Sequence, residues 1–309
     1  MQMQCFVRSK YYHNSGLLGR RVVRRSAPTN TVSLPVQTED HADLKALVDD
    51  IICRVEGTDG GINLSDAQKD EIDLLLDKLR EAGKGSRPVK DPRLIGNYVV
   101  VYTSTRRAPG QKGQAAGGRF RGALGRSLFK TTGVFQSVLA GDPPIAVNKV
   151  AFNLLGLIPG YVGLRGRVEP FGDDDESVSV YFDPPILSFA GKLHLRIGPK
   201  SSVQLATTYL DERIRVGLGS RGSLFLFTRG GAADAADMDL VGQQRTSWVG
   251  VAAVWAFLAI LVVTGALLWA SANPLARVAA IISGFLTVGI SAVLNRGGII
   301  QDDKEINHK

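Results

Sequence analysis

Few residues in this chain could do chemistry, and they do not converge. Four histidines occur, His13, His41, His194 and His308. Only His194 falls within the strand-rich part of the chain. Metal sites and Ser/His/Asp relays need partners meeting at one point, so no catalytic residue, cofactor or metal ligand is assigned. Cys53 sits beside Ile51 and Ile52, where a buried thiol stays protonated and inert. Cys5 is the other cysteine, and two cysteines predict no disulfide framework. The run Asp173, Asp174, Asp175, Glu176 lacks the spaced ligands of a calcium loop and reads as a solvated hairpin tip. Asp211, Glu212, Arg213 and Arg215 carry two readings. They orient a polar ligand head, or Asp211 caps a turn while an arginine packs across the chain's core. Residues 106–126 hold six glycines and six basic residues. No Gly-Lys-Ser/Thr end follows, so this is not a phosphate-binding P-loop. A basic lid drawn to lipid phosphates and a solvated insertion both remain open.

The elements that must position these residues follow from periodicity. Leu44, Leu47, Val48, Ile51, Ile52 and Val55 mark one helical face. Ser65 with Gln68 forms a capping box before Ile72, Leu75, Leu76 and Leu79, and Gly83 ends that second helix. The two helices occupy 42–83. From 94 to 230 the pattern changes to short β-branched and aromatic runs, at 95–103, 131–139, 145–153, 161–168, 177–183, 186–197, 202–208, 212–217 and 222–229. Such spacing predicts an antiparallel barrel or sandwich. Eight-stranded barrels either fill with side chains or hold one small apolar molecule. Phe152, Leu154, Leu155, Leu157, Ile158 and Tyr161 form an apolar patch broken by Gly156, Pro159 and Gly160. It is a rim dipping into lipid, a guarded entrance or ordinary core.

Both chain ends differ from this middle. Residues 1–38 contain no acid, and residues 1–40 carry six basic residues, a composition matching an organelle transit peptide or a disordered basic tail. The net charge of +8 owes half its excess to this segment, so no concentrated basic face argues for nucleic acid. After a linker at 231–246, Trp248 to Ala270 is free of charge and flanked by Trp248 and Trp269. At about 1.5 Å per residue it is long enough for a ~30 Å hydrocarbon core. Leu275 to Leu294 carries only Arg277, near one end. The short turn between them predicts a transmembrane helical hairpin over 247–295, followed by a polar tail at 296–309.

The stretch Gly96-Asn97-Tyr98-Val99-Val100-Val101-Tyr102-Thr103-Ser104, the run Gly133-Val134-Phe135-Gln136, Asn148 with Val150 and Phe152, and above all Thr208-Tyr209-Leu210-Asp211-Glu212-Arg213-Ile214-Arg215 before Gly219 and Leu224-Phe225 resemble the plastid-lipid-associated (PAP/fibrillin) family. The resemblance covers roughly 42–230. It implies a mainly β fold, a lipocalin-like antiparallel barrel preceded by two α-helices. It also implies a non-catalytic plastid protein that binds or organises membrane lipid, isoprenoid or quinone, or else a scaffold docking to photosynthetic or quinone-synthesis machinery. In such barrels a late arginine lies over the aromatic of the opening Gly-x-aromatic motif. The structural set is then Gly96, Tyr98, Asp211, Arg213 and Arg215, with Arg215 or Arg213 over Tyr98. Tyr102, Phe135, Phe152, Tyr161, Phe182 and Tyr209 are the candidate ligand contacts of bore or rim. The sequence departs from the family in carrying Tyr98 where many members have Trp, and in its apolar hairpin. That hairpin points to a multi-pass thylakoid membrane protein with a stromal barrel rather than a plastoglobule coat.

Overall fold

The computed structural model describes residues 36–105, 125, 127–173, 175–219, 222–271 and 273–296. Residues 1–35, with Cys5 and His13, lie outside them. So do 106–124 and Arg126 of the glycine- and arginine-rich segment, Asp174 of the acidic run, and the tail from 297 with His308.

Two helices come first. α1 spans Val36–Val55, beginning ahead of its apolar stripe. Cys53 on it is only half-buried, to the side of the buried stripe Val48, Ile51 and Val55. It is disulfide-bonded, which corrects the expectation of an inert buried thiol: off the stripe, its sulfur is open to a second one. α2 spans Asp66–Gly83 and opens with the reciprocal Ser65–Gln68 box. Its stripe Ile72, Leu76, Leu79 and Gly83 is buried.

Ten strands follow: β1 (Gly96–Thr105), β2 (Phe129–Leu139), β3 (Ile145–Leu154), β4 (Ile158–Pro170), β5 (Ser177–Phe182), β6 (Ile186–Phe189), β7 (Leu193–Arg196), β8 (Ser201–Leu210), β9 (Ile214–Gly219) and β10 (Ser223–Arg229). Antiparallel pairing runs β4-β3-β2-β1-β10-β9-β8-β5 and returns to β4, closing an eight-stranded barrel. Closure leaves these eight without a free edge. β4 is long enough to be shared: Gly166–Pro170 pair with β5 and Gly160–Gly163 with β6. The expected single strand over 186–197 is instead the β6–β7 hairpin. Ala190 and Gly191 both take positive φ, and Lys192 N–H bonds Phe189 O at 3.1 Å. This hairpin stands off the barrel beside β4.

One end of the barrel is closed. Short 3-10 turns at Pro88–Lys90 and Pro92–Leu94 cross it, and Val89 packs on the bore cluster Ala146, Val168, Val178, Val180 and Phe182. The acidic run helps to hold them and is not merely a solvated tip. Asp175 O accepts Val89 N–H at 3.0 Å, and its carboxylate meets Lys90 Nζ at 2.8 Å. The other end, the rim, carries the β3–β4 turn and the β6–β7 turn.

β-Bulges decide which side chains enter the bore. Register shifts occur between Val100 and Tyr102, between Thr131 and Gly133, and between Thr207 and Tyr209. Each extra residue reverses the in–out alternation beyond it. Tyr98 faces the bore, whereas Tyr102 faces outward beneath α2. There its hydroxyl donates to Asp73 at 2.9 Å, and Ser104 Oγ donates to the same carboxylate at 2.7 Å. At the far end of α2, a Cβ on Gly83 would run into the backbone of Thr208 and Tyr209, so only glycine lets the helix approach this closely.

The segment 231–246, read from sequence as a linker, lies along the outer wall of the barrel. Ala233, Ala236, Met238 and Val241 are buried with Phe135 and Val147. Its carbonyls are capped from the barrel: Lys149 donates to Ala236 O at 2.6 Å, Arg165 to Asp239 O at 2.9 Å and Arg196 to Gly242 O at 2.7 Å. Next come two long helices, α3 (Trp248–Ala270) and α4 (Pro274–Arg296).

Asp73→Ala would leave the Tyr102 hydroxyl and Ser104 without their shared acceptor. We expect roughly 1–3 kcal/mol lower stability in urea unfolding. An unchanged midpoint would mean that α2 is held by its apolar stripe alone.

Candidate functional site

Of the six aromatic residues expected at bore or rim, the fold turns two inward. Phe182 belongs to the bore cluster, and Phe152 forms an edge-to-face chain with Phe129 at 5.2 Å and Phe189 at 5.8 Å near the rim. The other four face outward. Tyr102 and Tyr209 lie under or beside α2, with Tyr209 Oη donating to Asp211 at 3.1 Å. Phe135 and Tyr161 are covered by the 231–246 segment. Three of these reversals follow from the bulges. Tyr161 was misplaced by parity alone: it pairs beside Phe152's neighbour Ala151 and shares the opposite face.

The bore centre is built around Arg215, which is 2% exposed. Its guanidinium lies 4.5 Å from the Tyr98 ring centroid and 4.1 Å from that of Phe227, and one nitrogen donates to Gln136 Oε1. Arg213 does not share this place. Burial pushes the Arg215 guanidinium down to about 10, against a favourable interaction with Tyr98. Arg229, absent from the sequence-based set, completes the group. It lies 5.1 Å from the same ring, donates to Tyr98 Oη at 2.9 Å and to Ile95 O at 3.0 Å. A Cβ on Gly96 would collide with the Arg229 guanidinium, which accounts for glycine two residues before the aromatic. The Tyr98 hydroxyl in turn donates to Arg93 O and Leu94 O, at 2.8 and 3.0 Å. Asp211 caps the β8–β9 turn, accepting from Arg213 N and Ile214 N, each at 2.7 Å.

Sequence reasoning also passed over the bore's polar ladder. Gln136 Nε2 donates to Asn148 Oδ1 at 2.8 Å, continuing the chain from Arg215. The signal was present: Val134-x-Gln136-x-Val138 and Ala146-x-Asn148-x-Val150 each place one amide in an apolar alternation. No arrangement here pairs a nucleophile with a base. Among the described residues no cluster of metal-ligating side chains occurs. His194 lies in β7, away from the bore, and its backbone carbonyl does the work described next.

The second locus is where α3 and α4 meet the β-structure. Ser247 N–H bonds His194 O at 2.8 Å, and Gly250, buried, fits against Leu193 and Leu195 of β7. At the other end of the hairpin, Gly198 N–H bonds Leu294 O at 2.8 Å. β7 and the residues just after it thus seat the start of α3 and the end of α4. The helices themselves are long and apolar enough to cross a membrane, with only 6% and 11% of their most apolar windows buried. They touch through small residues: Ser283 Oγ donates across to Leu261 O at 2.7 Å beside Gly265. Thr287 instead bonds its own helix at Ser283 O. A pocket of about 340 Å³ beside Arg167, Tyr181 and Lys200 and an apolar groove of about 500 Å³ between α3 and α4 both lie outside the bore.

Tyr98→Ala would remove a fully buried ring and one face of the Arg215 stack. A loss of roughly 3–5 kcal/mol in unfolding free energy is expected; a change under about 1 kcal/mol would show that the stack is not what closes the barrel. Burial raises the hydroxyl pKa of Tyr98 and Tyr102, and burial followed by the Asp211 charge pushes Tyr209 up to about 12. The unfolded tyrosines ionise near 10.0. Their contribution is therefore full below pH 10 and is lost as pH rises through the folded values. Alkaline titration should show these phenolates appearing together with unfolding; their ionisation in an intact fold near the ordinary value would contradict this.

No protein-family model matches the chain, and no solved structure matches it. It is 38% identical over 183 residues to the probable plastid-lipid-associated protein 8, chloroplastic, of Arabidopsis thaliana, a match covering 59% of this chain and 71% of that relative. A closed barrel behind two helices, with Arg215 over Tyr98, accompanies that identity, and the chain belongs to the plastid-lipid-associated (PAP/fibrillin) protein family.

Proposed function

We propose that this protein is a non-catalytic plastid membrane protein that associates with and organises lipid at the thylakoid surface. In this reading α3 and α4 form a membrane-spanning hairpin and the barrel sits in the stroma. The observation that carries it is the seat. Of two exposed apolar helices of 23 residues, the first begins on β7 and the second ends against Gly198 just past it, so the β-structure is hydrogen-bonded to the hairpin at both of its ends. At about 1.5 Å per residue each helix matches a bilayer core. Exposure of this kind is tolerable in lipid and costly in water. The chloroplastic, plastid-lipid-associated relative supports the compartment and the lipid class. The acid-free leader supports import. Two spans return the chain to its starting side, so the barrel and the tail share one compartment.

The bore favours organisation over carriage. Tyr98, Arg215, Phe227 and the Gln136–Asn148 ladder occupy its middle, and Val89 closes one end. The same filled bore favours a second reading, in which the barrel docks to photosynthetic or quinone-synthesis machinery and holds no ligand.

Import into isolated chloroplasts tests the proposal. The full chain should arrive in thylakoids, resist carbonate washing, and lose both its barrel and a tag after Lys309 to added protease. A chain ending at residue 246 should be washed off. Recovery of the full chain in the carbonate supernatant would overturn the anchoring. Lipid extraction and mass spectrometry of the retained protein then separates lipid association from the scaffold reading.

A further inference from the structure

The β3–β4 turn presents apolar side chains to solvent in a backbone shape that does not suit them. Leu155 has φ +52° and Gly156 φ +73°, and Leu157 N–H bonds Leu154 O at 3.0 Å. This is a two-residue hairpin turn of the kind that ordinarily takes Asn-Gly or Asp-Gly. A leucine in the left-handed region is disfavoured. Leu155 is 62% exposed, Leu157 83% and Ile158 44%. Leu157 is more exposed than any large apolar residue of α3 or α4 among the described residues, although those helices have no protein around them. Neither folding nor solubility explains three such residues on one turn.

The turn's neighbours say what covers it. Ala190 N–H, in the β6–β7 turn, bonds Pro159 O at 2.8 Å, so the two turns lie side by side on the rim. In register, Gly160 pairs with Phe189, and Phe189 with Leu193. Two strand spacings, about 10 Å, therefore separate β4 at this level from Leu193. Leu193 is the residue against which Gly250, in the first turn of α3, is packed. The apolar turn thus stands at the level where α3 leaves the β-structure, beside the interfacial Trp248.

We propose that Leu155, Leu157 and Ile158 insert into the interfacial layer of the same bilayer that α3 and α4 span, giving the barrel a second lipid contact beside its seat. This rests on the membrane reading above. The hairpin alone would tether the barrel through β7 and leave its tilt free. A second point about two strands away fixes the rim toward the lipid, with the closed end and its Val89 plug directed away. Burial of the three side chains in acyl chains supplies the environment that the turn lacks in water.

The test uses the full chain reconstituted in vesicles of phosphatidylcholine and phosphatidylglycerol, with an environment-sensitive nitrobenzoxadiazole probe on Leu157→Cys, labelled without reductant. A matching probe on Glu212→Cys, exposed at the closed end, is the control, and the unsubstituted chain measures any labelling of native cysteines. The Leu157 probe should be blue-shifted, quenched by spin-labelled lipid and sheltered from iodide. The Glu212 probe should show the reverse. In the same samples, quenching of Trp248, Trp255 and Trp269 by spin-labelled lipid reports whether the hairpin is inserted. Tryptophans quenched with the Leu157 probe open to iodide would overturn this proposal alone. Neither quenched would overturn the membrane reading with it. A Leu157 probe sheltered from iodide but untouched by lipid quencher would mean that protein, not lipid, covers the turn, and would also overturn the proposal.

Discussion

Among the described residues, no carboxylate pairs with the cation at the centre of this barrel. Taking a guanidinium out of water is costly, and a buried charge normally calls for an opposite one. Arg215 is instead held between the faces of Tyr98 and Phe227, with the Gln136 carbonyl oxygen as acceptor. Each ring contributes about 0.5–2 kcal/mol at such sites, and guanidinium, weakly hydrated and planar, is the cation best suited to stacking. The arrangement sets demands around itself. Tyr98 must point inward, so Gly96 must leave room for Arg229, which fixes the Tyr98 hydroxyl. That hydroxyl reaches Arg93 O and Leu94 O, and so draws the 3-10 turns over the closed end. Strands at opposite ends of the sequence, β1 and β9 to β10, are thereby joined through one side chain.

How far this was legible in the sequence depends on the element. The helices, the strand-rich middle and the apolar hairpin follow from periodicity, because each extends over many residues and single exceptions do not disturb it. The stack of an arginine on Tyr98 came from the family resemblance, and no local pattern chooses Arg215 over Arg213. The difference lies in the turn: Arg213 is exposed in the β8–β9 turn that Asp211 caps, whereas Arg215 lies within β9, two residues before Gly217, whose missing side chain makes space for Phe227. The bore-facing aromatic residues were the least legible. A strand pattern assigns Tyr98 and Tyr102 to one face, and likewise Thr207 and Tyr209. One inserted residue in each pair undoes this, and nothing in Val101 or Thr208 announces a bulge. The β6–β7 turn did leave a trace, in Gly191, but a run of β-branched and apolar residues on either side hid it.

The segment 231–246 was hidden for a different reason. Its composition is that of a loop, rich in glycine, alanine and aspartate. What orders it comes from elsewhere in the chain: Lys149, Arg165 and Arg196 supply donors to its carbonyls, and Gly163 leaves room for Val241. Burial lowers the Lys149 pKa, yet its ammonium is held by Ala236 O and by the face of Tyr161 at 4.8 Å. A sequence window cannot see donors that lie 46 to 87 residues away. Long side chains on an outer barrel wall ordinarily read as solvated charge, and here three of them act as clasps.

The placement of the seat separates two mechanical roles. Had α3 and α4 been joined directly to a barrel strand, any movement of the helices would pull on the pairings that close the barrel. They rest instead on β7 and on Gly198 just past it; β7 pairs with β6, and β6 pairs with the barrel along Gly160–Gly163 of β4. The clasped segment provides a second connection, on the opposite side of β4, through Arg165 and Val241. Force from the helices is therefore divided between a side hairpin and an outer strap, and neither contributes a pairing to the eight-strand circuit. The barrel can keep its stacked arginine and its fixed register while the helices tilt.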